Sequence, residues 1–418
     1  MHIKEHLSVY KGLPRDMYAL FVSCIVSRIG SFIVPLMTLI LVQKIGLSKS
    51  DAGMFSTIAL LTQAPFVILG GRLADKIGGK KTIVIFNTLG ALVYFVCGFL
   101  KANMTMAVLL VVASNLYALA HPAFNCVVTS VTPQHQLKSA FSLTYLGVNL
   151  GFAVGPLISG LLFYKNLNLL FFLDGFTTLA STALILFFVR SSGIQEVRCT
   201  DGAAFDRKPI GNSVISFLLQ NPVLLLFALG FLVYNFCYVQ WNFLLPLQMV
   251  ELFSQNGAKL FSTLVSINAV TCIVLTPSLT SMTQKLHPLK TVYMGGFFYF
   301  ASFLAFGVAQ GFLHFLLSMV LMTVGEILIS INTSSYVANR TPQLFIGRVN
   351  SIMFMVNGFG TAIGPGVMGK ALTLVGFPHV WFIVAVVMLL GAVGMTFLKR
   401  FDREYPIANA QPLPIEEK

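Results

Sequence analysis

The chain has 418 residues, of which 56% are hydrophobic and only 10% are charged, and its net charge is +13. Soluble domains carry about 25% charged residues, so this composition excludes a compact water-soluble domain and indicates a membrane protein. The basic residues lie dispersed between apolar runs, which favours a role in membrane orientation over nucleic-acid binding. We therefore expect the partner surface to be the lipid bilayer and expect no nucleic acid.

Twelve apolar runs follow one another along the chain, each close to the roughly 20 residues that a transmembrane helix needs. They predict spans 1 to 12 at residues 17–43, 51–74, 82–101, 105–129, 139–163, 167–189, 217–249, 259–282, 291–311, 312–338, 347–374 and 377–398. We predict an all-α membrane protein with two pseudo-symmetric six-helix bundles. The predicted units are a first bundle at 1–190, a central loop at 191–216, a second bundle at 217–398 and a tail at 399–418.

Lys and Arg are distributed unevenly between the two sets of loops. The set that contains both termini and the central loop holds 20 of the 27 basic residues. Because basic loops stay on the cytoplasmic side, we expect both termini in the cytoplasm and the protein in the inner membrane of a bacterial cell. The end of the bundle with the loop between spans 2 and 3 is called the predicted cytoplasmic end below, and the other is the predicted outer end.

The two halves contain an internal repeat at an offset of 209 residues. Eight identities share this offset: Thr132, Pro133, Gln134, Ser142, Gly151, Gly155, Pro156 and Gly160 match Thr341, Pro342, Gln343, Ser351, Gly360, Gly364, Pro365 and Gly369. Because six spans separate the copies, both have the same orientation in the membrane. The repeat predicts a substrate path between the two halves.

The loop between spans 2 and 3 reads Gly-Arg-Leu-Ala-Asp-Lys-Ile-Gly-Gly-Lys from residue 71. Glycine suits a tight turn, and an acid can meet a helix N-terminus or a basic group. The loop closely resembles the signature G-x-L-a-D-r-x-G-r-k of the major facilitator superfamily, although Gly79 replaces one basic position. The resemblance implies a 12-helix transporter fold and a gating role for Gly71, Arg72, Asp75, Lys76, Gly78 and Lys80. The alternative is that the basic residues of this loop only fix the orientation of the protein in the membrane.

Span 5 contains Gly151, Gly155, Pro156 and Gly160, and span 11 repeats the pattern. Small residues four apart let helices approach closely, and proline bends a helix. The pattern is similar to G-x-x-x-G-P-x-x-G, which is associated with antiporters in the superfamily. It predicts close helix packing and favours export over uptake.

Few charges lie inside the spans, and each is a candidate functional group because a charge is costly in hydrocarbon. Arg28 lies in span 1, and Glu326 lies near the middle of span 10. The superfamily resemblance implies that spans 1, 4, 7 and 10 line a central cavity, and span 10 resembles that of bacterial multidrug-resistance proteins. We predict that Glu326 carries a coupling proton and that Arg28 adjusts its charge. The alternative is a static Arg28–Glu326 pair that holds the halves together.

Two further residues inside the spans are weaker candidates for proton coupling. They are Asp174 in span 6 and His121, which precedes Pro122 in span 4. Histidine titrates near physiological pH. The alternatives are a capping contact or a reach to the headgroups for Asp174, and a hydrogen-bonded kink for His121.

Span 7 carries aromatic and amide side chains at helical spacing: Tyr234, Asn235, Tyr238, Trp241 and Asn242. Tyr117 in span 4 is the repeat counterpart of Glu326. Rings supply contact area and a few polar groups orient a ligand. These six residues therefore predict a binding surface for a lipophilic or amphipathic substrate, with interfacial anchoring as the alternative.

The sequence contains no phosphate-binding loop of the form G-x-x-x-x-G-K-S/T, and its six cysteines match neither a disulfide framework nor a zinc site. We expect a monomer that is not an enzyme, with no cofactor and no metal, and with protons and a small molecule as its partners. We predict proton-coupled efflux, of multidrug type, by alternating access. The alternatives are proton-coupled uptake of a peptide, sugar or amino acid, a lipid translocator, and a non-transporting sensor.

Overall fold

The computed structural model describes residues 10–133, 136–190, 221–283, 286–341 and 346–402. Within these ranges, ten helical segments are long and apolar enough to cross a membrane. Two of them, Pro222–Thr283 with 62 residues and Ile352–Phe401 with 50 residues, greatly exceed the roughly 20 residues of one crossing. Ser254 (φ 48°) interrupts the first and Gly376 (φ 76°) the second. The ten segments therefore supply twelve crossings, as the sequence predicts.

The observed helices agree with the predicted spans to within a few residues. Span 1 comprises the helices Arg15–Ile29 and Ile33–Leu39 and a π-helical turn, Ile40–Lys44. Spans 2 to 6 are Lys49–Ile77, Gly79–Phe99, Met104–Val131, Leu137–Leu162 and Leu167–Phe188. Span 7 comprises Pro222–Tyr238 and Gln240–Phe253, and spans 8 to 10 are Gly257–Thr283, Pro288–Val308 and Phe312–Arg340. Spans 11 and 12 lie on either side of Gly376 within Ile346–Phe401. The central loop at 191–216 and the tail beyond residue 402 lie outside the described residues, so the domain boundaries stay a prediction.

The helices of the two halves pack in the same pattern. In the first half, span 1 contacts spans 5 and 6, span 2 contacts span 4, and span 3 contacts spans 4 and 6. In the second half, span 7 contacts spans 11 and 12, span 8 contacts span 10, and span 9 contacts spans 10 and 12. The repeat in the sequence is therefore a repeat in packing, and the architecture is two pseudo-symmetric six-helix bundles.

The first two glycines of the repeated pattern lie where helices of one half touch. A Cβ atom at Gly151 would lie 2.3 Å from the Cβ of Arg28, and one at Gly155 would lie 2.5 Å from a carbonyl oxygen of the same span 1 helix. Gly360 and Gly364 press against span 7 in the same way. Because these contacts leave no space for a side chain, the glycines permit the close approach of spans 1 and 5 and of spans 7 and 11.

The third glycine of the pattern joins the halves. A Cβ atom at Gly160 would lie 2.6 Å from the side chain of Ser262 in span 8, and one at Gly369 would lie 2.9 Å from the carbonyl oxygen of Lys49 in span 2. Pro156 lies between Gly155 and Gly160 in the chain, inside the helix Leu137–Leu162. The pattern thus serves packing within each half and between the halves.

Polar contacts also join the halves at the predicted outer end. Lys49 pairs with Glu251 at the end of span 7, and the N–H of Gly366 donates to Oγ1 of Thr57 at 2.9 Å in a buried position. Farther toward the predicted cytoplasmic end, the side chains of Tyr145 in span 5 and Cys272 in span 8 also form a hydrogen bond across the halves. Polar contacts therefore join the halves from the predicted outer end as far as Tyr145 and Cys272.

Candidate functional site

Glu326 lies in span 10, and both of its carboxylate oxygens accept hydrogen bonds. The hydroxyl of Tyr238 in span 7 donates to Oε1 at 2.9 Å, and Nδ2 of Asn268 in span 8 donates to Oε2 at 2.8 Å. The same Nδ2 lies 2.9 Å from Oγ1 of Thr323, one turn earlier in span 10. Three spans of the second half therefore converge on one carboxylate, and donors to both oxygens suit its ionised form.

Aromatic rings surround the donors to Glu326. The ring of Tyr238 stacks on Tyr299 with centroids 5.6 Å apart and meets Trp241 edge-on at 6.2 Å. From the first half, Tyr145 of span 5 lies close enough to interact electrostatically with Glu326, and it is 48% exposed. Tyr299 and Trp241 are buried, whereas Tyr238 and Tyr145 are partly exposed and can contact an apolar ligand. We call Glu326, Tyr238, Asn268, Trp241 and Tyr299 the Glu326 cluster.

Arg28 lies apart from this cluster. Its guanidinium lies 5.5 Å from the ring centroid of Phe152 in span 5, because the contact of its Cβ with Gly151 holds the side chain against that helix. In the described part of the chain no ion pair joins Arg28 to Glu326. The alternative of a static pair between them is therefore wrong for this conformation. The exposed His121 lies close enough to Arg28 to interact with it electrostatically, so these two residues lie together in the first half, apart from the Glu326 cluster.

Asp174 caps the break in span 1. Its Oδ2 accepts hydrogen bonds from the backbone N–H groups of Phe32 at 3.0 Å and Ile33 at 3.1 Å. These groups open the helix Ile33–Leu39, and the first N–H groups of a helix have no partner within it. A carboxylate is favoured at that position. The contacts are those of the capping alternative, and Asp174 lies in the first half, away from Glu326.

Three of the residues predicted to bind substrate lie at or just after the break in span 7, near Glu326 or span 1. Tyr238 and Trp241 belong to the Glu326 cluster. Asn242 follows directly and has an exposed side chain. Its backbone carbonyl lies 3.4 Å from Oγ1 of Thr38 in span 1, which places it at the junction of the halves.

Tyr234 and Asn235 face other helices of the second half. Tyr234 is 1% exposed, and its hydroxyl points to the carbonyl of Val292 in span 9 at 3.4 Å. Gly296 makes room for that ring, because a Cβ there would lie 2.2 Å from the Tyr234 hydroxyl. Asn235 donates to the carbonyl of Phe231 at 2.8 Å within its own helix. The prediction that Tyr234 and Asn235 belong to the surface around Glu326 is therefore corrected: both are packing residues in this conformation.

Tyr117 is also placed inside its own half. Its ring packs against Gly90 of span 3, where a Cβ would lie 2.5 Å from the ring, and it meets Tyr94 edge-on with centroids 5.4 Å apart. A glycine opposite the ring again explains the inward direction. Tyr117 therefore occupies the repeat position of Glu326 without facing the space between the halves.

Comparison with known proteins identifies the family. The model of the Major Facilitator Superfamily matches residues 19–365 and 253–416. The chain belongs to the Major Facilitator Superfamily. The MFS-type transporter YqjV of Bacillus subtilis is 24% identical over 400 residues, which cover 93% of this chain and 94% of that protein. The quinolone resistance protein NorA of Staphylococcus aureus is 26% identical over 168 residues, which cover 39% and 42%. The crystal structure of the nucleoside transporter NupG has a TM-score of 0.74 at 13% identity and covers 92% of this chain and 99% of that one.

Membership of the Major Facilitator Superfamily makes the protein a multi-pass membrane transporter for small molecules and not an enzyme. The prediction of the superfamily and of its all-helical fold is therefore confirmed. In the described ranges, no group of three or more His, Cys, Asp or Glu residues could hold a metal ion.

The superfamily loop between spans 2 and 3 has an open geometry at Asp75. Gly78 has a φ of 92°, a conformation that suits glycine, and it separates the helices of spans 2 and 3. Asp75, Arg72 and Lys76 are exposed, and none of the three makes a hydrogen bond or ion pair with the described residues. A Cβ atom at Gly71 would meet no other atom within 4 Å. Lys80 donates to the carbonyl of Val189 at the end of span 6 at 2.6 Å. The gating role of this loop stays a prediction.

Sequence reasoning missed Asn268, Thr323 and Tyr299 as neighbours of Glu326. Asn268 is an amide within an otherwise apolar stretch of span 8, and a polar residue inside a span is a signal in its own right. Span 8 is not among the cavity-lining spans that the superfamily resemblance implies, so the resemblance gives Asn268 no role. Tyr299 resembles any other aromatic residue of an apolar span, and its sequence position carries no signal.

Proposed function

We propose that this transporter exports small lipophilic or amphipathic compounds in exchange for protons, with Glu326 as the proton-carrying group. The observation that supports this most is that Glu326 has donors on both oxygens and no cationic partner among the described residues. A charge inside a membrane protein is costly unless it is neutralised. A proton or a cationic ligand can supply that neutralisation, and the two would compete for the same carboxylate.

The surroundings of Glu326 support a lipophilic ligand. Tyr238 and Tyr145 offer partly exposed rings near the acid, and ring faces bind apolar and cationic groups. Asn268 is the only amide in the cluster, so few hydrogen bonds are available to select one polar nutrient. The similarity of part of the chain to the quinolone resistance protein NorA favours the same assignment.

The packing between the halves supports alternating access. The contacts of Lys49 with Glu251 and of Thr57 with Gly366 join the halves in the predicted outer part of the bundle. We propose that the movement that separates the halves at the predicted outer end engages Asp75 and the basic residues of the loop between spans 2 and 3. Arg28 would then keep a positive charge on the first-half side of the path, which disfavours a cation there and leaves Glu326 as its site.

The proposal is tested with inside-out membrane vesicles whose lumen has been acidified. Lipophilic cations, neutral amphiphiles, peptides and sugars are added in turn, and a pH-sensitive dye reports proton loss from the lumen. We expect lipophilic compounds to cause proton loss in the wild type. Glu326→Gln should lower this rate by about a hundredfold, the effect of losing one proton-transfer group.

Asp51→Asn is the matched control, because this carboxylate is exposed at the predicted outer end and bonds Ser48 within its own turn. It should keep the wild-type rate. A response that survives Glu326→Gln would contradict the coupling role. A response to peptides or sugars alone would replace export of lipophilic compounds by uptake of a nutrient.

A further inference from the structure

A cavity of about 530 Å³ lies in the first half, between the start of span 1 and the end of span 6. The described residues that line it are Arg15, Asp16, Ala19, Phe188 and Arg190. The volume falls in the range of small-molecule sites, about 300–1,000 Å³. The cavity shares no residue with the Glu326 cluster, so it is independent of the proposed transport path.

The cavity lies where two spans leave the membrane. Arg15 opens the helix Arg15–Ile29, and Phe188 ends the helix Leu167–Phe188. The apolar part of each span therefore begins or ends at the cavity, which puts it at the level of the lipid headgroups. Phe188 in the lining is 64% exposed, and Tyr18 and Phe187, which are adjacent in the chain to lining residues, are 40% and 77% exposed. Aromatic side chains are common at this level, next to the first carbons of the acyl chains.

The charged groups of the cavity are uncommitted. Arg15 and Arg190 are exposed and Asp16 is half-buried, and none of the three forms an ion pair with another described residue. Guanidinium groups bind phosphate oxygens with two parallel hydrogen bonds. The carboxylate of Asp16 accepts hydrogen bonds and suits a primary ammonium group. Two cations and one anion thus match a headgroup with a phosphate and an amine.

The end of span 6 is held in place beside the cavity. Lys80 reaches from span 3 and donates to the carbonyl of Val189 at 2.6 Å. Val189 is itself 2% exposed and its N–H donates to the carbonyl of Ile185. These contacts fix the backbone immediately before Arg190, which reduces the freedom of that side chain. The cavity is therefore preformed on the side of span 6.

We propose that this cavity binds the phosphoethanolamine headgroup of a membrane phospholipid, with Arg15 and Arg190 on the phosphate and Asp16 on the ammonium group. The acyl chains then lie along the exposed rings of Tyr18, Phe187 and Phe188. An anionic phosphatidylglycerol would satisfy the arginines but would leave Asp16 next to a like charge. A phosphatidylcholine has no N–H to donate to Asp16.

The test uses the full chain in vesicles with equal amounts of phosphatidylethanolamine, phosphatidylcholine and phosphatidylglycerol. The protein is released into detergent, and native mass spectrometry counts the lipids that stay bound. We expect phosphatidylethanolamine to exceed phosphatidylcholine by about tenfold, the effect of one hydrogen bond to a charged group. Arg15→Gln combined with Arg190→Gln should remove this retention. Asp16→Asn should remove the preference over phosphatidylcholine while phosphatidylglycerol is still retained.

The control is Lys290→Gln combined with Lys399→Gln, which removes two charges at the same predicted end of the second half and should leave retention unchanged. Arg15→Lys combined with Arg190→Lys keeps both positive charges but removes the paired N–H donors of the guanidinium groups. This variant should retain an intermediate amount of lipid, which distinguishes a loss of headgroup recognition from misfolding. Preferential retention of phosphatidylglycerol, unaffected by Asp16→Asn, would overturn the proposal. So would displacement of the lipid by inorganic phosphate and by phosphoethanolamine at equal concentrations, which would indicate a general anion site.

Discussion

Two acids inside the spans, Asp174 in the first half and Glu326 in the second, each accept two hydrogen bonds of very different kinds. The donors to Asp174 are backbone N–H groups at the start of one helix segment. The donors to Glu326 are the side chains of Tyr238 and Asn268 on two other spans. Backbone donors are fixed by their helix, whereas a hydroxyl can accept as well as donate and an amide can turn. The difference indicates a fixed helix cap at Asp174 and an acid at Glu326 whose partners tolerate a change of charge.

The largest effect on stability is expected from Asp174→Ala. The substitution leaves the buried N–H groups of Phe32 and Ile33 without an acceptor, which should cost about 3 kcal/mol of unfolding free energy. Asp174→Asn keeps one oxygen that can accept both bonds and should cost only about 1 kcal/mol. Thermal unfolding of the purified variants in detergent measures both values.

The same pair of variants separates capping from coupling. Asp174→Asn should keep proton-driven transport within about threefold of the wild type, whereas the equivalent change at Glu326 should not. A stable Asp174→Asn protein that transports its substrate without proton movement would show that Asp174 takes part in coupling.

A smaller effect, on transport alone, is expected from Asn268→Leu. The change removes the donor to Oε2 of Glu326, and a hydrogen bond to a charged group is worth enough to lower the transport rate by about tenfold. Asn332→Leu is the matched control, because among the described residues Nδ2 of Asn332 bonds the carbonyl of Leu328 in its own helix and not Glu326. Initial rates in the vesicle assay compare the two. Equal losses in both variants would mean that Asn268 acts through general packing.

The sequence predicts the fold well because the membrane imposes simple rules. Backbone groups in lipid must bond within a helix, so each apolar run gives a crossing, and the repeat at 209 residues places the equivalent contacts of Gly151 and Gly360. The break in span 1 is different. The break depends on the carboxylate of Asp174, 142 residues from Phe32 in the chain, and no local pattern at Gly30 to Phe32 predicts it.

The candidate site could be predicted only in part. A charge within span 10 points to Glu326 from sequence alone, because its cost in hydrocarbon demands a reason. The direction of each aromatic ring could not be predicted, since Tyr234 and Tyr238 occupy the same face of one helix. Tyr234 turns to span 9 because Gly296 leaves space there, while Tyr238 meets Glu326. Such choices depend on the size of a residue on another helix.

The smallest effect is expected from Tyr117→Phe, at the repeat position of Glu326. Its ring packs against Gly90 and Tyr94, and Phe keeps that packing, so stability should change by less than about 1 kcal/mol and transport should be close to that of the wild type. Tyr238→Phe is the same chemical change in the other half, and it removes a donor to the Glu326 carboxylate. It should lower the transport rate by about tenfold. If the two variants lose transport equally, Tyr117 belongs to the substrate path, and residues of both halves take part in the transport step that we propose for the Glu326 cluster.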